Sequence, residues 1–184
     1  MAGIVAALDA DVLVPILSCD FLLTAFDLGI YEPVVGADVL REVQHALGED
    51  FPELEPSAIA YRINSMRDVL ADHIVQAANA VPDGINVKDQ HVVAAASAGE
   101  AAVLVSNDRR LRTEVEMHVP GLMPVTLDRF ALMLWDLDPD ATSATIDALA
   151  RKRMRPPITR QGLIQRLAPV LPSLHEMLAR TQHG

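Results

Sequence analysis

Five apolar residues, Ile4 to Leu8, stop at a carboxylate, Asp9; a second carboxylate, Asp11, follows, and apolar positions then resume at helical spacing. This pattern predicts a buried strand that turns directly into a helix from Val12 to about Leu28, with Leu13, Ile16, Leu17, Phe21 and Leu28 on one face and Gly29 as its stop. Tyr31 to Val35 reads as a short strand bounded by Gly36, and Asp38 then caps a helix through Ala46 that Gly48 ends. Glu49 to Pro56 is an acidic, proline-bearing loop. Helical spacing returns from Ser57 to Leu70 and continues, broken, to Ala78; Pro82-Asp83-Gly84 is a turn. Asp89 opens an alanine-rich helix, 90–98, followed by Gly99, a strand from Ala102 to Val105 and the polar triplet Ser106-Asn107-Asp108. A last strand, Met123 to Leu127, leads into a helix from Asp128 to Trp135.

Strands alternating with helices in this way predict an α/β fold, a three-layer α/β/α sandwich around a central, mainly parallel sheet. The composition changes at Pro139. Beyond it the chain offers no strand-like run and three short helices, Ala141 to Arg151, Thr159 to Leu167 and Pro169 to Arg180, with Arg155-Pro156-Pro157 as a joint. The expected organisation is a sheet domain over 1–138 and a small C-terminal helical segment over 139–184.

At 184 residues, 51% hydrophobic but only 4% aromatic, the chain builds its core mostly from Ala, Val, Leu and Ile. Its apolar runs fall well short of the roughly 18 residues of a membrane span, and no basic region precedes the first one. A cytoplasmic protein without membrane contact is the expectation. Cys19 is the single cysteine, which excludes an intrachain disulfide and a cysteine-based zinc cage and suits a small buried hydrophobe. The net charge of −10 argues against a general nucleic-acid binder, yet it is uneven: residues 141–184 carry +5 and residues 1–140 carry −15.

In a parallel sheet, strand exits and the starts of the helices that follow share one edge, where ligands bind. Asp9 and Asp108 lie at strand exits, Asp89 starts the helix that feeds the strand at 102–105, and Glu42 flanks the buried stripe of the helix after the second strand. Taken singly, Asp11, Asp89 and Asp108 suit helix caps and Glu42 a solvated face. Taken together, carboxylates converging without matching Lys or Arg repel and desolvate one another, which a divalent cation relieves. Mg²⁺ or Mn²⁺, with hard oxygen ligands and retained waters, suits such a set and hydrolyses phosphodiesters by activating water.

The series Leu-Asp9-x-Asp11-Val-Leu, Asp38-Val-Leu-Arg-Glu42-Val, Asp89-Gln-His-Val-Val-Ala-Ala-Ala and Val105-Ser-Asn-Asp108-Arg-Arg-Leu resembles the PIN-domain ribonucleases, including the VapC-type toxins of bacterial toxin–antitoxin pairs. The resemblance covers residues 4 to about 130; the tail, with Met154-Arg-Pro-Pro-Ile-Thr159, resembles the C-terminal helical segment of one subgroup. It implies Asp9, Glu42, Asp89 and Asp108 as metal-binding catalytic residues, with Ser106 and Asn107 as polar support and Mg²⁺ or Mn²⁺ as cofactor. It also implies single-stranded or looped RNA as substrate, cut to a 5′-phosphate and a 3′-hydroxyl, and an antitoxin that occludes the site; a second copy of the chain is a further candidate partner. The family usually has Asn, Ser or another small polar residue where this chain has Asp11, leaving that acid open as cap, further ligand or modifier of metal preference.

Arg109, Arg110 and Arg112 follow Asp108 directly and are candidates to hold RNA phosphates, as is the basic tail; both also read as solvated faces. Two other functions compete. Asp9-Ala10-Asp11-Val12 matches the nucleophile-x-acid signature of haloacid-dehalogenase-like phosphatases, but Lys88, the candidate for their lysine, stands at the wrong position, and Val12 and Gly36 stand where that family has a glycine-containing turn and a Ser or Thr. The other is a PIN fold kept as a non-catalytic binding module. A nucleotide-binding Rossmann reading fails for want of a Gly-x-Gly-x-x-Gly after the first strand.

Overall fold

A computed structural model of the chain describes residues 3–76, 80–152 and 157–181. The chain is α/β, with a five-stranded all-parallel sheet flanked by helices, as expected for a three-layer sandwich. The strands are β1 (Ile4–Leu8), β2 (Tyr31–Gly36), β3 (Ile74–Val75), β4 (Val103–Val105) and β5 (Met123–Val125). The helices are α1 (Ala10–Leu13), α2 (Ile16–Asp27), α3 (Ala37–Asp50), α4 (Pro56–Leu70), α5 (Gln90–Ala98), α6 (Arg109–His118), α7 (Leu127–Leu137), α8 (Pro139–Lys152), α9 (Arg160–Leu167) and α10 (Pro172–Thr181).

The strand order is β3-β2-β1-β4-β5. The chain therefore winds outward from β1 in one direction through β2 and β3, and in the other through β4 and β5. The reversal falls between β1 and β4, and in such sheets the crevice beyond the carboxyl ends of the strands at that reversal is the natural ligand site. Ala6, Ala7 and Leu8 stand opposite Val103, Leu104 and Val105, so both strands end level and deliver Asp9 and Ser106 side by side. These residues are buried, as the inner strands of a parallel sheet must be.

Several boundaries differ from the sequence expectation. The helix expected from Val12 to Leu28 is two helices, because Pro15 has no N–H to donate and interrupts the ladder after Val14. The Arg62 guanidinium on α4 takes up the carbonyls this leaves, reaching Leu13 at 2.9 Å and Val14 at 2.7 Å. Gly48 does not end α3; the helix runs on to Asp50, since burying Leu47 outweighs the roughly 1 kcal/mol a mid-helix glycine costs. β3 was not expected: after a 3₁₀ turn at Ala71–His73 it has only two residues, too few for a periodic signal, and it pairs with Val35 and Gly36 of β2. β4 and β5 are shorter than expected, Thr126 caps α7 instead of ending a strand, and α10 begins at Pro172. The helical pattern expected to continue beyond Leu70 gives way to the 3₁₀ turn and β3, because β2 offers 74–75 an edge to pair with; Ala77 and Ala78, the basic residues Arg153 and Arg155, and the start of the Met154–Thr159 motif lie outside the described residues.

The chain divides into two compact units, one of Met1–Pro15 with Glu32–Val125 and the other of Ile16–Tyr31 with Thr126–Gly184. These boundaries are not the change of composition at Pro139: α2 and α7 fall in the second unit, where α2 and α7 pack on α8, and α7 and α9 on α10. Its core joins Phe21, Leu22, Phe130, Leu134, Ile146, Leu163 and Leu174. There the rings of Tyr31 and Phe130 meet edge to face at 5.1 Å, and the Tyr31 hydroxyl donates to the Leu22 carbonyl at 3.1 Å. No helix among the described residues is long and apolar enough to cross a membrane.

Gly99 closes α5 against β2. A Cβ there would come within 2.4 Å of the Val34 side chain, which is buried and cannot swing aside. Gly99→Ala is expected to destabilise the fold by about 1–3 kcal/mol in urea unfolding, and unchanged stability would show that this contact is not tight.

Candidate active site

Asp9 directly follows β1, and its N–H donates to the Val105 carbonyl at 3.1 Å, so the sheet itself positions its backbone. Its side chain is almost fully buried. As N-cap of α1 it accepts the Ala10 N–H on Oδ1 at 2.7 Å, and Oδ2 accepts the Ser106 hydroxyl at 2.7 Å. Ser106 is completely buried and is pinned by its N–H to the Val125 carbonyl at 3.0 Å. Its Oγ also accepts the Asp108 N–H at 3.0 Å, so one serine ties the ends of β1 and β4 to the start of α6.

Asp11 lies on α1 and turns back to the same place. Its Oδ2 accepts the Asn107 N–H at 2.8 Å; its Oδ1 is buried and has no hydrogen-bond partner among the described residues. The Ser106 hydroxyl is 3.5 Å from Asp11 Oδ2, but with one proton to give it serves Asp9, which is closer. Asp108 caps α6, accepting the Arg110 and Leu111 N–H groups on Oδ1 at 2.6 and 3.1 Å. Arg112 braces the same loop, donating to the Ser106 carbonyl at 2.8 Å.

Asp89 and Glu42 each face a cationic or proton-bearing partner. Asp89 begins α5 but makes no capping hydrogen bond; its Oδ2 instead meets Arg110 Nη2 at 2.7 Å. Arg110 also reaches Glu114 at 3.6 Å, and Glu114 accepts the Asn86 N–H at 2.9 Å, which ties the loop before α5 to α6. Glu42 on α3, about half exposed, meets His91 Nε2 on α5 at 3.1 Å.

The electrostatics follow from these distances. Burial raises the Asp9 carboxyl above the ordinary aspartate range, and the charges of Glu42 and Asp89 push the same way, against the Ser106 and Ala10 hydrogen bonds. Burial pushes Asp11 up to about 7, with the Asp9 charge adding to it, while the backbone N–H groups of Asn107 and Asp108 oppose. The centre thus holds more negative charge than its protein partners balance.

Asp9, Asp11, Ser106, Asn107 and Asp108 are brought into one hydrogen-bonded group. Glu42 and Asp89 act on Asp9 through their charges, but they are turned to His91 and Arg110, and among the described residues no three His, Cys, Asp or Glu side chains stand together as a ready metal cage. Of the three arginines expected at phosphates, Arg110 and Arg112 have internal partners and Arg109 is exposed on α6. The sequence reading gave His91 and Glu114 no part. The signals for them were faint: His91 lies two places after Asp89, and Glu114 lies four places after Arg110 on one helix.

The donor set itself suits a hard divalent cation, being all carboxylate oxygens with Asp11 Oδ1 unpartnered and two carboxyls held above their normal range. Compared with known proteins, the chain matches no family model and no curated protein sequence.

The raised carboxyls have a measurable consequence. In the folded chain Asp11 holds its proton up to about pH 7, whereas unfolded it releases it near the ordinary aspartate value of 3.8. Folding therefore gains stability from this group at low pH and loses it as pH rises through that window. Without divalent cations the wild type should lose on the order of 1–3 kcal/mol between pH 4 and 7.5 on this account. Asp11→Asn should flatten that dependence and be the more stable protein at pH 7.5 in urea unfolding, and an unaltered pH profile would contradict the assignment.

Proposed function

We propose that the chain is a Mg²⁺- or Mn²⁺-dependent endoribonuclease of the PIN type, the toxin of a toxin–antitoxin pair. One observation carries the reading: Asp9 and Asp11 stand at the reversal between β1 and β4, and neither carboxylate pairs with a Lys or Arg among the described residues. The resemblance in the spacing of Asp9, Glu42, Asp89 and Asp108 points the same way. Asp9, Asp89, Asp108 and Glu42 are the residues to hold the ion, which requires Asp89 to leave Arg110 and Glu42 to leave His91. When bound, a divalent cation lowers the pKa of water and offsets charge on the leaving oxygen of a phosphodiester.

The chain's own residues supply the rest. Ser106 and the Ala10 N–H fix both oxygens of Asp9, so that its orientation costs nothing further when substrate arrives. The Asp11 carboxyl, pushed up to about 7 with the Asp9 charge adding to the rise, would take the proton of the attacking water, the departing 3′-oxygen drawing its own proton from solvent. This gives Asp11 a role where the family usually carries a small polar residue. The phosphatase reading is weakened by the sequence, which has Val12 and Gly36 where that family has a glycine-containing turn and a Ser or Thr.

The test is cleavage of a mixed cellular RNA pool by the purified protein with Mg²⁺, with Mn²⁺ and with chelator, beside Asp9→Asn prepared identically. The expected outcome is metal-dependent cutting that falls about 100-fold or more in the variant, with 5′-phosphate ends. Ion binding without turnover would favour a binding module. A phosphorylated aspartate trapped from a phosphate ester would favour the phosphatase.

A further inference from the structure

The first unit has few cations to offer a polyanion, and most are already engaged. Arg62 serves the carbonyls at the α1 break, Arg110 serves Asp89 and Glu114, and Arg112 serves the Ser106 carbonyl. Arg67 reaches Asn64 at 3.4 Å on its own helix, on the exposed side of α4. The cations that remain among the unit's described residues are Arg41, Lys88 and Arg109; the first two line one open cleft of about 530 Å³ with Asp38, Glu42, His45 and His91.

The cleft has a simple origin. Asp38, Arg41, Glu42 and His45 fall at i, i+3, i+4 and i+7, one face of α3. α3 packs on α5, which brings His91 and the preceding loop with Lys88 opposite that face. Glu42, one of the carboxylates whose charge Asp9 feels, forms part of the cleft. The cations are also easily recruited. Arg41 pairs only with Asp38 one turn away, both well exposed, and the Lys88 ammonium makes no ion pair among the described residues. Exposed helix pairs of that kind are weak and screened by salt, so an incoming phosphate displaces them.

We infer that this cleft binds the phosphodiester backbone of single-stranded RNA, with Arg41 and Lys88 on successive phosphates, and that the strand reaches the carboxylates across α3 and α5 rather than along the arginines of α6. The inference rests on the ribonuclease reading and adds the path of the substrate. His45 and His91 line the same walls with Nε2 facing Glu49 and Glu42, and Asp38 and Glu42 keep the cleft from being a general anion trap.

The test is fluorescence anisotropy of a labelled 12-nucleotide oligouridine RNA with the full chain in chelator at pH 7.5, across 0.05–0.3 M salt. Arg41→Ala/Lys88→Ala should weaken binding about tenfold at 0.1 M salt and reduce the salt slope by about 1.4, two contacts at roughly 0.7 each for a single strand. Arg67→Ala should change neither. Both cleft side chains are exposed, so the variant's melting temperature should match the wild type and confirm that it folds. Wild-type binding with an unchanged slope in the double variant would overturn the cleft and leave the ribonuclease reading standing. Absence of RNA binding by the wild type would overturn both. Equal binding of polyglutamate, or complete displacement of the RNA by 10 mM inorganic phosphate, would assign the cleft to an acidic peptide or to a lone phosphate and overturn the proposal.

Discussion

A carboxylate forced out of water at the end of a buried strand dominates this protein. β1 is apolar and enclosed, so the backbone that follows it emerges where little solvent reaches, and Asp9 occupies that place. Burying an ionised carboxylate is expensive unless partners repay it. The local partners are a backbone N–H and the Ser106 hydroxyl, which orient Asp9 without neutralising it. Asp11 adds a second carboxylate in the same setting. The sheet topology makes the arrangement unavoidable, since β1 and β4 are neighbours, run parallel and end level.

The surroundings divide the remaining charge. Asp108 is absorbed into the cap of α6, Asp89 is met by Arg110 and Glu42 by His91, while Asp9 and Asp11 keep their excess. A centre built this way stores electrostatic strain that an external divalent cation, or protons, can release. Asp89 and Glu42 instead gain a guanidinium and an imidazole on their own sides. On the proposed reading, loading the centre is an exchange of partners for Asp89 and Glu42, with Asp9 held throughout by Ser106.

Much of this was legible in the sequence because it depends on periodicity and on which residue ends an apolar run. Leu8 to Asp9 and Val105 to Ser106 mark strand exits in any parallel sheet, and the alternation of elements gave the α/β class. Three kinds of feature were not legible. Pro15 splits a helix whose apolar spacing continues across it, so the pattern hid the break. β3 is too short to carry a period and exists only because β2 offers it an edge. The third kind is pairing at long range: nothing local in Arg110 says that it meets Asp89, and nothing in His91 says that it meets Glu42, because both contacts are made by helix packing. Asp11 was legible as a departure from the family pattern, but its unpartnered oxygen needed the geometry of the 106–108 loop.

On the proposed reading the centre is a set of carboxylates, Asp11 among them titrating near neutrality, whose charge a divalent cation would complete. Calorimetric titration of Mn²⁺ into the cation-free protein at pH 6.5, in buffers of different ionisation enthalpy, tests it directly, because binding must expel the proton that Asp11, pushed up to about 7, holds there. The account predicts saturable binding with about one proton released per ion. Heat that is independent of the buffer, or no binding at millimolar Mn²⁺, would contradict it.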